Sequence, residues 1–335
     1  MKKIRIAQIG INRYSHAPEI FVTLKSLPEL FDVAGYAIVE DERETCANKM
    51  WCFEGYPELT LDEILNDPTI EAVTIETDEI HITKYAQMAA EHGKHIHMEK
   101  PGSQSLEGFE KLIETVKKNG KTFHIGYMYR YNPYISDAIK RAQNGDFGEV
   151  FSVEAQMSRM DSETTRKWFG SFKGGHMFYL GCHLIDLVLQ IQGEPDNIIP
   201  LNCSIDPENI GTEDYAMAVM QYPHGVSFVK IATEVAGFIR RQLVISGTKG
   251  TVEIKPLEIG VKREEGMVPY PNRTQRRVSL SDGDRNIETS EVFGRYDAMI
   301  RAFAEMVRGE KTNPYTCDYE LTLFKTILKC CGVDE

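Results

Sequence analysis

The stretch Ile4-Arg5-Ile6-Ala7-Gln8-Ile9-Gly10-Ile11-Asn12-Arg13-Tyr14-Ser15 decides the reading of the first third of the chain. Its first six residues form an apolar-rich run of strand length that stops at a glycine. Beyond it Ala17, Ile20, Leu24 and Leu27 recur at helical spacing, with Pro18 tolerated in a first turn. The same rhythm continues to residue 127. Val33–Val39, Ala72–Ile75, His95–Met98 and Phe123–Tyr127 read as further strands. Between them lie a short helix reaching Asn66 with Thr60 and Glu63 as its capping box, a helix ending at His92 before Gly93, and one carrying Leu106, Phe109, Leu112, Ile113 and Val116 before Gly120. Strands alternating with helices in this way predict an α/β fold, a Rossmann-like doubly wound parallel sheet over residues 1–127.

From residue 128 the texture changes. A helix at Ile135–Ala142 leads to a strand at Val150–Met157, an irregular stretch to Gly175 and a helix at Gly181–Gln192. Strand-like runs follow at Ile198–Ile205, Tyr215–Gln221, Val226–Thr233, Leu243–Ser246 and Thr251–Ile254, some joined by short turns with glycine, as in antiparallel hairpins. The polar stretch Lys262–Asn286 has no apolar period and is expected to be a mobile surface loop. Two helices, Tyr296–Arg308 and Tyr319–Lys329, close the chain. Residues 128–335 are therefore expected to form an α+β domain around a mostly antiparallel sheet.

Composition supports two domains and narrows the partners. At about 150 residues per domain, 335 residues suggest two. With 38 basic and 50 acidic residues the formal net charge is −12, which argues against nucleic acid or an anionic membrane as partner. Hydrophobic residues at 42% and charged ones at 26% fit a chain with a sizeable core. No segment approaches the ~20 apolar residues of a membrane helix, and the start reads as a first strand rather than a signal peptide. Seven scattered cysteines suggest reduced thiols and a cytoplasmic home.

The loop after the first strand has one glycine, Gly10, of the G-x-G-x-x-G fingerprint that binds a dinucleotide. Asn12 stands at the second position as the most tolerant replacement, since Asn visits positive φ more readily than most residues, and Ser15 is a candidate N-cap and phosphate donor. An ordinary strand-to-helix turn is the competing reading. Glu40, at the end of the second strand, would accept the adenosine ribose hydroxyls and favour NAD. Asp41 could serve instead, and Arg13 could bind the 2′-phosphate of NADP. His92, His95 and His97 lack a ligand set and are read as structural, so no metal is expected.

The segment Gly93-Lys94-His95-Ile96-His97-Met98-Glu99-Lys100-Pro101-Gly102 ends a strand in Glu-Lys-Pro. In this it resembles the glucose-fructose oxidoreductase / inositol dehydrogenase (Gfo/Idh/MocA) family. Further matches run in order along nearly the whole chain: Leu61-Asp62-Glu63-Ile64-Leu65, Tyr129-Arg130-Tyr131-Asn132-Pro133, Gly174-Gly175 leading to Gly181-Cys182-His183-Leu184-Ile185-Asp186, and Gly247-Thr248-Lys249-Gly250-Thr251. The resemblance implies an NAD(P)-binding domain followed by a domain whose open sheet supports a homodimer or homotetramer. It implies hydride transfer between a nicotinamide cofactor and a sugar, inositol or related polyol.

It also implies that Glu99 and Thr77 lie at the cofactor and that Lys100 and His183 face the substrate. The chemistry agrees: imidazole is a base suited to a hydroxyl proton, and an ammonium group stabilises a developing alkoxide. Asp186, three residues past His183, is expected to orient its ring, while Arg130 and Trp168 are candidates for supporting a sugar. Two departures stand out. Tyr179 occupies a position where the family commonly carries Asp, and the Thr-Pro-Asn-like segment reads Thr77-Asp78-Glu79, with His81 out of register. Tyr179 is thus either an acid/base group or a space-filler. An NAD-dependent glycosidase or lyase, and a non-catalytic binding protein on this scaffold, remain as alternatives.

Overall fold

The structure is a computed structural model and describes residues 2–233, 237, 239–281, 283 and 286–333. In chain order the elements of the first third are β1 (Ile4–Ile9), α1 (Ala17–Lys25), β2 (Phe31–Ala37), α2 (Glu42–Thr45), α3 (Leu61–Asn66), β3 (Ala72–Ile75), α4 (Glu79–Glu91), β4 (His95–Met98), α5 (Leu106–Asn119) and β5 (Phe123–Ile125). The five strands form one parallel sheet in the order β2-β1-β3-β4-β5. All four residues of β3 are buried, as expected for a sheet covered on both faces. The chain moves outward to β2 and then returns past β1 to β3, so the switch point lies between the carboxyl ends of β1 and β3.

Local chemistry sets the helix ends. Thr60 accepts from the Glu63 amide at 3.1 Å and Glu63 Oε2 accepts from the Thr60 amide at 2.7 Å, which completes the capping box. α5 stops at Gly120, whose φ of +62° admits the left-handed cap.

The rest of the chain contributes α6 (Pro133–Gln143), β6 (Val150–Ser158), α7 (Glu163–Trp168), α8 (Cys182–Gln192), β7 (Asn197–Cys203), β8 (Tyr215–Tyr222), β9 (Gly225–Ala232), β10 (Arg241–Gly247), β11 (Gly250–Ile254), β12 (Ile259–Gly260), β13 (Pro271–Arg273), β14 (Gln275–Leu280), β15 (Ile287–Thr289), α9 (Asp297–Val307) and α10 (Cys317–Cys330). Eight strands make an open sheet in the order β15-β14-β11-β10-β6-β9-β8-β7, antiparallel except for the β6–β9 pair. One face is core, with Val153, Ala155, Ala218, Val229, Ile231, Leu243 and Ile245 fully buried. On the other face Ile199, Leu201 and Val226 stay exposed.

One expectation needs correction. The polar stretch 262–286 is not simply a loop: β13 and β14 within it are strands, and β14 pairs along its length with β11. Ladder hydrogen bonds need no apolar period, and Arg276 and Arg277 bond to Glu288 and Glu253 across the strands. Asp282, Asp284 and Arg285 of that stretch lie outside the described residues. By their contacts residues 1–128, 262–271 and 294–321 gather into one unit and residues 129–261, 272–293 and 322–335 into the other. The closing helix α9 belongs to the Rossmann unit because Phe303 packs on His97 and His124 from β4 and β5.

Candidate active site and cofactor loop

In the first unit the expected cofactor residues gather at the switch point. Gly10 has φ +87°, and a Cβ there would lie 2.7 Å from Thr77. Only glycine permits this approach between the ends of β1 and β3. Asn12 does not take positive φ; it acts through its side chain instead. Its Oδ1 accepts the amides of Tyr14 at 2.8 Å and Ser15 at 3.2 Å, while Nδ2 donates to Glu79 Oε2 at 2.8 Å and to the Thr77 carbonyl. The N-cap of α1 is His16 rather than Ser15, and Ser15 Oγ accepts from the Ala17 amide.

The loop is braced from below by residues that sequence reading missed. Glu42 Oε2 accepts the amides of Ile11 and Val39, Cys46 donates to the Ile11 carbonyl, and Lys49 donates to the carbonyls of Asn12 and Ser15. Burial pushes the Glu42 carboxyl up to about 7.

At the end of β2, Glu40 takes φ +52° and its Oε1 accepts from Tyr85 at 2.7 Å and Lys84 at 2.9 Å. Hydrogen bonds from Lys84 and Tyr85 hold this carboxyl below its ordinary value. Arg13 lies 3.2 Å from Asp78 and 3.5 Å from Asp41, so its charge is already matched by two acids.

At the ends of β3 and β4 a buried cluster surrounds Lys100, which ion-pairs with Glu99 at 3.3 Å. Glu76 and Glu79 are fully buried, and neither oxygen of Glu76 has a hydrogen-bond partner. Burial pushes Glu79 up to about 7 and Glu76 and Glu99 upward too, with Lys100 opposing in each case. The histidines sit apart: His95 Nδ1 accepts from the Thr122 amide, His92 meets the Met88 carbonyl, and His97 faces His124 at 2.7 Å. Burial alone drives His97 down to about 3, so it stays neutral.

In the second unit a π turn, Met177–Gly181, leads directly into α8 and carries Tyr179 and then His183 on consecutive turns. Such single π turns cluster at functional sites. Gly175, with φ +44°, starts this approach where a Cβ would stand 2.2 Å from the Glu213 carbonyl oxygen. Tyr129 meets the His183 ring edge-on at 5.3 Å, and its hydroxyl donates to Glu258 at 2.7 Å. Tyr179 is enclosed by Trp168, perpendicular at 5.6 Å, and by Phe169.

Arg130 and Asp186 were expected beside the substrate and His183. The structure pairs them: Arg130 Nε and Nη2 donate to the two carboxylate oxygens at 3.0 and 2.8 Å, and Gln190 donates to Oδ2 at 2.8 Å. Both charged groups are buried, so this bidentate pair braces α8.

The first unit thus has features of a dinucleotide site: a glycine-enforced close approach at the switch point and a carboxylate just past β2. The pair of units defines a two-part oxidoreductase scaffold. Residues 4–127 match the family described as "Oxidoreductase family, NAD-binding Rossmann fold", and residues 135–253 match the GFO/IDH/MocA C-terminal domain. The chain belongs to the GFO/IDH/MocA oxidoreductase family, and its first unit is an NAD-binding Rossmann fold.

Among relatives, the chain is similar to the scyllo-inositol 2-dehydrogenase (NAD(+)) of Bacillus subtilis, 25% identical over 334 residues, 96% of this chain and 91% of that protein. It is also similar to the scyllo-inositol 2-dehydrogenase (NADP(+)) of the same organism, 24% identical over 80% of this chain and 77% of that one. The crystal structure of an aldose-aldose oxidoreductase from Caulobacter crescentus shares the fold, with a TM-score of 0.79 at 19% identity, covering 99% of this chain and 97% of that one. Among the described residues no helix is long and apolar enough to cross a membrane.

Proposed function

We propose that the protein is an NAD-dependent dehydrogenase that transfers a hydride between the CH–OH group of a sugar, inositol or related polyol and the nicotinamide. The observation that carries this reading is Lys100: an ammonium group buried at the carboxyl edge of the Rossmann sheet and paired with Glu99. When bound, NAD supplies the hydride acceptor. Lys100 Nζ holds the substrate hydroxyl and stabilises the negative charge that grows on its oxygen. His183 takes the hydroxyl proton, a task suited to an imidazole, here met edge-on by Tyr129. Tyr179 contributes a phenol at the position where the family resemblance implies a carboxylate, and Trp168 backs it as part of an apolar wall. Gly10 and Thr77 define the cofactor approach, and Asn12 shapes the loop that carries Arg13 and Ser15. NAD is preferred over NADP because Glu40 presents a carboxylate at the end of β2 while Arg13 is held by Asp41 and Asp78.

The test is a titration with NAD⁺ and NADP⁺ followed by turnover on a panel of inositols, aldoses and polyols. NAD⁺ is expected to bind more tightly, and at least one polyol to reduce it. Lys100→Ala and His183→Ala are each expected to lower kcat by about 10²-fold or more. Cofactor binding without turnover on any polyol, or full activity in His183→Ala, would overturn the assignment.

A further inference from the structure

We propose that the buried carboxyl groups of Glu76 and Glu79 give the cofactor site a proton-linked preference for the oxidised form of the dinucleotide. This rests on the first unit being an NAD-binding fold. The oxidised and reduced forms share both riboses, the adenine and the pyrophosphate. They differ by one positive charge on the nicotinamide ring, so only groups that respond to charge separate them electrostatically.

The switch point is where an open α/β sheet binds its ligand, and the acids stand on it. Glu76 directly follows β3 and Glu79 opens α4. Both are fully buried; Glu76 has neither oxygen hydrogen-bonded, and Glu79 uses only Oε2, toward Asn12. Lys100 is the nearby ammonium, and Glu99 already pairs with it at 3.3 Å. Three carboxyl groups around one lysine leave a surplus of acid.

The charged and titratable groups facing Glu76 and Glu79 come from every neighbouring element. They are Glu99 and Lys100 after β4, His97 within β4 at 3.8 Å from Glu76, and Glu19 on α1. Arg295 acts on Glu99 from the segment before α9. His97 is held neutral by burial, so it adds no compensating charge. Desolvation therefore keeps protons on the surplus carboxyls. A cation added at the switch point favours their ionised form, so binding the oxidised dinucleotide releases protons to solvent and binding the reduced one does not. By linkage, affinity for the oxidised form rises with pH relative to the reduced form.

The experiment is equilibrium binding of NAD⁺ and of NADH to the full chain from about pH 6 to about pH 9, by calorimetry in two buffers of different ionisation enthalpy. The ratio of the NADH Kd to the NAD⁺ Kd is expected to climb with pH, by up to about tenfold per pH unit for each proton released. NAD⁺ should release more protons than NADH does. Glu76→Gln and Glu79→Gln, with folding verified by circular dichroism, should each flatten the slope, and the double variant should abolish it. If the variants do not fold, the buffer comparison on the natural chain still decides. Equal proton release for both forms, or a pH-independent ratio, overturns the proposal alone. Failure to bind either form overturns the cofactor reading together with it.

Discussion

Asn12 Nδ2 and Glu79 Oε2 meet at 2.8 Å, which ties the loop after β1 to the first turn of α4. Through its other end Asn12 gathers the amides of Tyr14 and Ser15, so one side chain shapes a loop that the dinucleotide fingerprint shapes with glycine. Removing it strands buried donors and a buried acid, at a cost of about 1–3 kcal/mol. We expect Asn12→Ala to weaken NAD⁺ binding by roughly tenfold in a calorimetric titration, and Asn12→Gly to weaken it as well despite restoring a glycine. Unchanged affinity in both would show that the loop holds its shape without this side chain.

The Arg130–Asp186 pair offers a stability measurement. Both groups are buried and bidentate, so truncating one removes the other's opposite charge from a buried site. Asp186→Ala is expected to lose about 3–5 kcal/mol in urea unfolding. A loss below about 1 kcal/mol would indicate that Gln190 or solvent replaces the partner.

Glu42 sets a pH dependence whose sign follows from its raised value. Its carboxyl moves from 4.5 to about 7 on folding, because burial disfavours the charged form. The folded protein therefore holds this proton more tightly than the unfolded chain does. The contribution is fully present below pH 4.5 and is lost as pH rises through about 7. Thermal unfolding of the natural chain should show Tm declining over that interval, and Glu42→Gln should reduce the decline. Identical Tm profiles for the two proteins would remove Glu42 as its source.

Ile199, Leu201 and Val226 lie on the outer face of the open sheet, where β7, β8 and β9 pair in register. We propose that this face is covered by another copy of the chain, giving a dimer or tetramer. Light scattering should report more than one chain per particle, and Leu201→Asp should shift the population toward monomer. A monomeric natural chain would dispose of the idea.

Much of the site's framework was legible in the residues. Thr60 and Glu63 formed the capping box their spacing implied, because a cap is settled within four residues. Gly10, Glu40 and Lys100 fell at the strand ends where the pattern put them. What escaped was pairing at a distance. Glu42 carried no signal in the sequence, yet it receives the amides of Ile11 and Val39. Asp186 receives Arg130, 56 positions earlier, a pairing that helical spacing does not reveal. β14 carries Arg276 and Arg277 where apolar alternation was the signal sought, and its ladder to β11 left no such trace.

The sequence by itself determined the alternation of strands and helices, the strand ends that carry chemistry and the family, since these rest on period, punctuation and local motif. Only the tertiary structure decided which charges are shared. Whether Glu76, Glu79 and Glu42 hold protons, and whether Arg13 is free for a phosphate or bound by Asp41 and Asp78, depends on desolvation and on neighbours far away in the chain. Those are properties of the enclosed space around a group, and that space exists only after the strands have been brought together.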